Sequence, residues 1–128
     1  MKNHENYKYN SYHQWILLQS KIITIGITDY AQSLLGNFVY IEFLEIGKKV
    51  YINEKLCTVE SVKTASDLYS SVNGEILLTN KKLLDKPNLL NLDPYYTGWL
   101  YQIKLFDVKE IIKMMSYKNY KSLVSYKK

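Results

Sequence analysis

The chain consists mainly of short runs in which apolar and polar residues alternate, a pattern that predicts half-buried β-strands. The clearest run lies at residues 23–27, where isoleucines at every second position share one face and Thr24 and Gly26 lie between them. With the apolar residues 15–18 it predicts an opening hairpin that turns near Ser20. Runs rich in β-branched and aromatic residues predict further strands at 38–43, 50–52, 56–62, 76–78 and 98–105.

Alternation within the strands predicts which face is buried. In the run at 38–43 the inward face is expected to carry Val39, Ile41 and Phe43. In the run at 98–105 the same spacing places four core residues on one face: Trp99, Tyr101, Ile103 and Leu105. Asn73 and Gly74 form a turn signal that separates the strand at 76–78 from the residues that precede it.

Helical signals are fewer. Thr28 is suited to cap a helix whose first turn carries Asp29, and Gly36 is suited to end it in a left-handed conformation. Asp107 and Glu110 have the spacing of a capping box, and an apolar stripe follows at helical intervals: Val108, Ile111, Ile112 and Met115. A second helical stretch at 120–124 is expected to fray.

The order of these elements predicts the fold class. Many short strands and few helices indicate a small β-sandwich or barrel, with helices at one edge and at the C-terminus. The 128 residues fit one domain, and no internal repeat or domain boundary is visible. Within residues 1–128, we expect 1–11 to be a loose lead-in and 107–128 to be a helical tail.

Charge is unevenly distributed along the chain, whose formal net charge is +5. Twelve of the 17 lysines balance the 12 acidic residues, and the whole excess comes from five lysines that follow residue 112: Lys113, Lys118, Lys121, Lys127 and Lys128. The chain has no arginine, the residue best suited to bidentate contacts with phosphate and guanine. We therefore interpret the tail first as a solvated basic face.

Composition argues against catalysis and against a membrane span. Cys57 is the only cysteine, so no internal disulfide can form. No uncharged run approaches the ~20 residues of a membrane span and no secretory signal is present, so we expect a cytoplasmic protein. His4 and His13 are the only histidines, and neither belongs to a nucleophile motif or a metal-ligand cluster. The sequence predicts a non-catalytic protein without a metal site.

Lys63 is the candidate functional residue. It lies between two predicted strands and is followed by Thr64, Ala65 and Ser66, whose short side chains leave an amine accessible at a hairpin tip. The segment Glu-Ser-Val-Lys-Thr-Ala-Ser-Asp-Leu-Tyr, residues 60–69, closely resembles the lipoyl-attachment segment of glycine cleavage system H proteins. The resemblance runs in collinear order over roughly residues 10–105, with further blocks at 13–15, 26–32, 35–36, 39–42 and 91–100.

The resemblance implies a barrel-sandwich hybrid of the lipoyl/biotinyl-carrier type, with two antiparallel sheets and the acceptor lysine on an exposed hairpin. It implies covalent lipoic acid on Lys63 and a carrier whose chemistry belongs to that group. The implied partners are glycine decarboxylase (P protein), aminomethyltransferase (T protein), dihydrolipoamide dehydrogenase (L protein) and a lipoate ligase or lipoyltransferase. It also implies a monomer that binds neither nucleic acid nor membrane.

Four further positions take roles from the resemblance. Glu60 and Gly74 match the residues that lipoylating enzymes recognise. Asp67 matches an acidic residue of the cleft that holds the aminomethyl form of the arm. Gln14 stands at another cleft position, where the family usually has glutamate, and Ser71 replaces a usual proline after the hairpin.

Two alternatives remain open. A lipoate-relay protein that passes lipoyl groups to 2-oxoacid dehydrogenases would need the same lysine hairpin, so the attachment segment does not separate it from a glycine-cleavage carrier. A small nucleic-acid-binding β-barrel would use the 13 tyrosines for base stacking and the lysine tail for phosphates. The tyrosines are scattered and arginine is absent, which weighs against the second alternative.

Overall fold

The computed structural model describes residues 6–127, with side chains to residue 125. Residues 1–5, among them His4, and residue 128 lie outside the described residues. The described part forms nine strands and five helices, in this order: β1 (Lys8–Tyr9), β2 (Gln14–Gln19), β3 (Ile22–Ile27), α1 (Asp29–Leu35), β4 (Phe38–Phe43), β5 (Lys49–Val50), β6 (Lys55–Ser61), β7 (Ala65–Tyr69), β8 (Gly74–Thr79), α2 (Lys82–Asp85), α3 (Leu89–Leu92), β9 (Tyr101–Leu105), α4 (Lys109–Ile112) and α5 (Tyr117–Lys127).

The strands form two antiparallel sheets. The larger sheet has six strands in the order β1-β2-β3-β9-β8-β5, and the smaller has three in the order β4-β6-β7. Buried apolar residues from both sheets join in the main core. This mainly β architecture, with short helices that include one at the C-terminus, is the fold class that the sequence predicts.

The opening hairpin β2–β3 confirms the isoleucine alternation. Ile23, Ile25 and Ile27 are all buried in the main core. Trp15 lies opposite Gly26 in the ladder, and a Cβ on Gly26 would lie 2.5 Å from the indole ring. Only glycine leaves room for this tryptophan, whose Nε1 donates a 2.9 Å hydrogen bond to the Pro94 carbonyl.

Helix α1 begins and ends where the sequence predicts. The Thr28 hydroxyl accepts a hydrogen bond from the Ala31 N–H at 3.2 Å, the geometry of an N-cap. Gly36 ends the helix with φ +84° and ψ −163°, a region that is accessible essentially to glycine alone. Its ψ is extended, so the predicted left-handed ending is correct in the sign of φ and wrong in ψ.

One strand departs from its predicted alternation. Phe38 and Ile41 are buried, but Val39 is more than half exposed, so the prediction that Val39 faces inward is wrong. The cause is a register shift between Phe38 and Tyr40 in the pairing of β4 with β6. Such an irregularity inserts a residue and exchanges the faces on either side of it.

The predicted loose lead-in is wrong for residues 7–10. Strand β1 pairs with β2, and Tyr7 and Tyr9 are buried. They belong to a second core, which is mainly aromatic and is formed by Tyr7, Tyr9, Trp15, Tyr120 and Val124. Burial raises the pKa of Tyr7 to about 12. The N-terminal segment is therefore part of the packed body.

Helix α5 closes this second core and is not a purely solvated tail. Its Tyr120 ring stacks on Tyr9 with centroids 4.8 Å apart. The Tyr120 hydroxyl lies 2.7 Å from Thr28 Oγ1 and 2.9 Å from His13 Nδ1. Helix α4 is a single turn in which Ile111 is buried but Ile112 is exposed, so the predicted apolar stripe packs only in part. No helix in the described range is long and apolar enough to span a membrane.

Candidate functional site

Strands β6 and β7 form a tight hairpin, and Lys63 lies exposed at its tip, as predicted. The Ser61 N–H donates to the Thr64 carbonyl at 2.8 Å. The Ser61 hydroxyl accepts hydrogen bonds from the N–H groups of Lys63 and Thr64, each at 3.2 Å. One serine side chain therefore satisfies the backbone donors of the turn and holds the lysine in place.

The aliphatic part of the Lys63 side chain lies alongside Gly36 at the end of α1. A Cβ built on Gly36 would be 3.4 Å from both Cδ and Cε of Lys63. Among the described residues, the Lys63 ammonium has no hydrogen bond or ion pair. The stem is supported by the glycine backbone, and Nζ remains open to an acyl donor.

The hairpin tip is attached to the α1–β4 connection. The Val62 N–H donates to the Asn37 carbonyl at 3.0 Å. Asn91 of α3 holds the same connection with three hydrogen bonds, in which its amide donates to the Gly36 carbonyl (2.8 Å) and to Gln32 Oε1 (3.0 Å) and accepts from the Phe38 N–H (2.9 Å). The β6–β7 hairpin, the α1–β4 connection and α3 are thus held together next to Lys63.

Glu60 and Asp67 lie on the outer face of the three-stranded sheet. Both are exposed, on β6 and β7. Cross-strand pairing places Asp67 opposite Thr58, whose hydroxyl donates to Asp67 Oδ1 at 2.9 Å, and places Thr58 opposite Glu42. Because Thr58 and Glu60 are two residues apart on one strand, all three carboxylates share this face.

Gly74 is not the turn glycine that the sequence indicates. It is the buried first residue of β8 and pairs with Val50 and Leu105. A Cβ at this position would lie 2.5 Å from the Lys104 carbonyl oxygen and 2.6 Å from Ile103 Cγ2. The close approach of β9 therefore explains the glycine, and Gly74 is buried rather than presented at a turn.

Gln14 does not line an open cleft, so this part of the predicted arm site is wrong. Its side chain is 0% exposed. Nε2 donates to the Tyr69 carbonyl at 2.9 Å, and Oε1 accepts from Asn10 Nδ2 at 3.0 Å. Both ends of the amide are occupied, so Gln14 ties β2 to the end of β7 and is not available to an ammonium group.

Asn10 was not predicted from the sequence as a site residue. It connects Gln14 and Ser71, the two positions that depart from the family pattern. Its Nδ2 donates to Gln14 Oε1 and also to Ser71 Oγ at 2.8 Å. Its Oδ1 accepts from the N–H groups of Tyr12 (3.0 Å) and Gln14 (3.2 Å). An asparagine in a polar leading segment is typical of a loop, so only the fold reveals this nearly buried bridge.

Cys57 and four of the tyrosines lie away from the surface. Burial raises the pKa of the Cys57 thiol, which favours its neutral form and makes it a poor nucleophile. Four tyrosines are almost completely buried and cannot stack on bases: Tyr7, Tyr9, Tyr101 and Tyr120. These four tyrosines are therefore excluded from the base stacking that the nucleic-acid alternative requires.

Comparison with known proteins agrees with this geometry. The sequence model of the family described as "Glycine cleavage H-protein" matches residues 7–127. The chain is 42% identical over 112 residues to a protein of Sulfolobus acidocaldarius named "Probable glycine cleavage system H protein 1", covering 88% of this chain and 81% of that protein. It is 39% identical over 125 residues to the "Glycine cleavage system H protein" of Coprothermobacter proteolyticus, covering 97% and 98% of the two chains.

The fold has a counterpart among solved structures. The crystal structure of a glycine cleavage system H protein from Mycobacterium marinum aligns with a TM-score of 0.86 and 28% sequence identity. The alignment covers 94% of this chain and 98% of that one. Sequence and fold therefore agree over nearly the whole length, and the chain belongs to the glycine cleavage H-protein family.

Proposed function

We propose that the chain acts as one lipoyl-carrier domain and bears its lipoyl group in amide linkage on Nζ of Lys63. The carrier role in glycine cleavage follows from the family. The proposal adds the attachment atom, and one observation carries it: Lys63 lies at an ordered hairpin tip with its ammonium exposed and unpartnered among the described residues. The neighbouring segment at 60–69 has the pattern of an attachment site.

The residues around Lys63 fit an acylated lysine. The ammonium first loses one proton; the neutral amine then attacks the acyl carbon, displaces the activating group and loses a second proton, so the amide product carries no positive charge. No carboxylate among the described residues pairs with this ammonium, so acylation leaves no anion without its partner. The Gly36 surface continues to support the stem.

When attached, the lipoyl group supplies a redox-active dithiolane that can carry the aminomethyl group. The chain itself supplies position and charge. Ser61 holds the turn, and Gly36 bounds the stem. Asp67 places an exposed carboxylate on the same hairpin, held by Thr58, where a cationic cargo could meet it. Gln14 is buried and cannot contact the arm. Of the two predicted cleft residues, only Asp67 is therefore available to bind the cargo.

Membership of the family implies that other components of glycine cleavage are partners. We assign the specific contacts to glycine decarboxylase, aminomethyltransferase and dihydrolipoamide dehydrogenase, with a lipoate ligase or lipoyltransferase acting first. The lipoylating enzyme must reach Lys63 Nζ itself, and the other three must reach the arm that extends from it on the exposed side of the hairpin tip. Glu60, exposed and three residues before Lys63, remains our candidate for recognition by the lipoylating enzyme.

Intact-mass measurement tests the attachment atom. The purified chain is incubated with lipoate, ATP and a lipoate–protein ligase, and we expect a mass increase of one lipoyl amide. Lys63→Arg keeps the charge and should abolish the increase with the thermal midpoint unchanged. Lys55→Arg, at the other end of β6, is the matched control and should be modified like the unsubstituted chain.

Two outcomes would overturn the proposal. A folded Lys63→Arg variant that still gains one lipoyl group would place the attachment elsewhere. An unsubstituted chain that stays unmodified under conditions in which a known H protein is fully modified would show that this hairpin is not a ligase substrate.

A further inference from the structure

Three large apolar side chains lie exposed around the Lys63 hairpin. Leu34 is 55% exposed, Val62 is 68% exposed and Leu92 is 74% exposed. Scattered apolar side chains are normal on protein surfaces, whereas an apolar cluster marks a contact site. Whether Leu34, Val62 and Leu92 are scattered or form a contact site depends on where the fold places them.

All three lie on chain segments that meet at Gly36. Leu34 is in the last turn of α1, two residues before Gly36. Val62 precedes Lys63, and its N–H is bonded to the Asn37 carbonyl. Leu92 follows Asn91, whose side chain donates to the Gly36 carbonyl. The contacts that hold the hairpin tip therefore bring the chain segments that carry Leu34, Val62 and Leu92 to one end of the molecule, and we call these three residues the apolar rim.

Charge indicates what covers the rim. The outer face of the adjacent three-stranded sheet carries Glu42, Glu60 and Asp67, although the whole chain has a net charge of +5. Lys63 lies at the tip of the hairpin that carries Glu60 and Asp67, and its acylation would remove one positive charge from this end of the molecule. A complementary partner would present an apolar patch flanked by basic side chains.

We propose that the apolar rim, Leu34, Val62 and Leu92, is the docking surface for the enzyme that acylates Lys63, and that this enzyme offers an apolar patch bordered by Lys or Arg. The inference rests on the proposed function, because a catalytic centre that reaches Lys63 Nζ must cover the surface beside it. The rim supplies affinity through burial of apolar area, and the carboxylates steer the approach.

Steady-state acylation by a lipoate–protein ligase, with the chain as the varied substrate, tests the docking surface. We expect Leu34→Gln and Leu92→Gln each to raise KM about tenfold, as truncation of a central interface contact does, with kcat unchanged. Ile112→Gln is the matched control, since this residue is 72% exposed but lies on α4. It should keep the KM of the unsubstituted chain.

Salt dependence tests the charge complementarity. Raising ionic strength should increase KM for the unsubstituted chain, and Glu42→Gln should weaken that dependence. Asp107→Asn removes an exposed carboxylate at the start of α4 and serves as the control.

Each result bears on one claim. If Lys63 is acylated and the rim variants match their control in KM, the docking surface is refuted while the attachment site stands. A fall in kcat with unchanged KM would refute docking as well, since it would mean that the rim positions Lys63 and does not bind the enzyme. If Lys63 is never acylated, the proposed function fails first.

Discussion

Replacing Gln14 by glutamate should destabilise the protein in a pH-dependent way. The substitution exchanges one nitrogen for oxygen and leaves the side-chain volume almost unchanged. Gln14 is 0% exposed, and its Nε2 is the donor to the Tyr69 carbonyl at 2.9 Å. An ionised carboxylate has no proton to donate there, so two acceptors would face each other in a buried site.

The structure sets the size of the effect. The lost donor leaves the Tyr69 carbonyl unsatisfied, at about 1–3 kcal/mol. Burying the new charge adds to this, because only Asn10 Nδ2 still donates to it. Both penalties act on the ionised form alone, so together they equal the upward shift of the carboxyl pKa, and a shift of about two to three units corresponds to about 3–4 kcal/mol. Gln14→Glu should therefore lower the free energy of unfolding by about 3–4 kcal/mol at pH 7.

The sign of the pH dependence follows from proton binding. The folded variant would bind the proton of the introduced carboxyl more tightly than the unfolded chain, in which the pKa of a glutamate is about 4.3. The stability loss relative to the unsubstituted chain should therefore be small below about pH 4, where a protonated carboxyl can donate to the Tyr69 carbonyl. It should grow as the pH rises through the unfolded value and level off above the raised folded value.

Urea unfolding of both proteins from about pH 4 to about pH 8 measures this difference. Gln19→Glu, an exposed position at the other end of β2, is the control and should show almost no change. A Gln14→Glu difference that does not vary with pH, or one below about 0.5 kcal/mol at pH 7, would refute the assignment of Gln14 as a buried donor.

Two other substitutions test the packing that holds the site. Gly74→Ala should lower stability by about 1–3 kcal/mol in thermal unfolding, because its Cβ would meet the Lys104 carbonyl oxygen at 2.5 Å, while the folded variant is still acylated at the normal rate. A stable variant that the ligase rejects would contradict this. Tyr120→Phe should lower stability by about 1–3 kcal/mol, since Thr28 and His13 lose a buried partner; an unchanged midpoint would show that α5 is not held by this hydroxyl.

Sequence patterns correctly predicted the parts of the fold that depend on contacts between residues close together in the chain. The alternation at 23–27 requires one buried face, and the structure buries those isoleucines. The Thr28 cap needs only an oxygen at the right offset from the Ala31 N–H. The Lys63 hairpin similarly follows from short side chains between two strand signals. In each case the determining contacts lie within a few residues of each other.

The errors have long-range causes. Tyr7 and Tyr9 resemble a loose polar segment until α5, more than 100 residues later, covers them. Val39 faces outward because of a register shift between β4 and β6, which no periodicity within β4 could show. Gln14 resembles a surface amide in the sequence because its acceptor, the Tyr69 carbonyl, is 55 residues away.

The distribution of charge in the fold changes what the net charge of +5 means for partner binding. All the excess lies after residue 112, and Tyr120 fixes α5 against β1, at the edge of the six-stranded sheet. Lys63 lies at the end of the other sheet, whose outer face carries Glu42, Glu60 and Asp67. Partners that dock at the hairpin tip therefore meet these carboxylates directly, whatever the sign of the net charge of the chain. A high isoelectric point is therefore compatible with an acidic docking face.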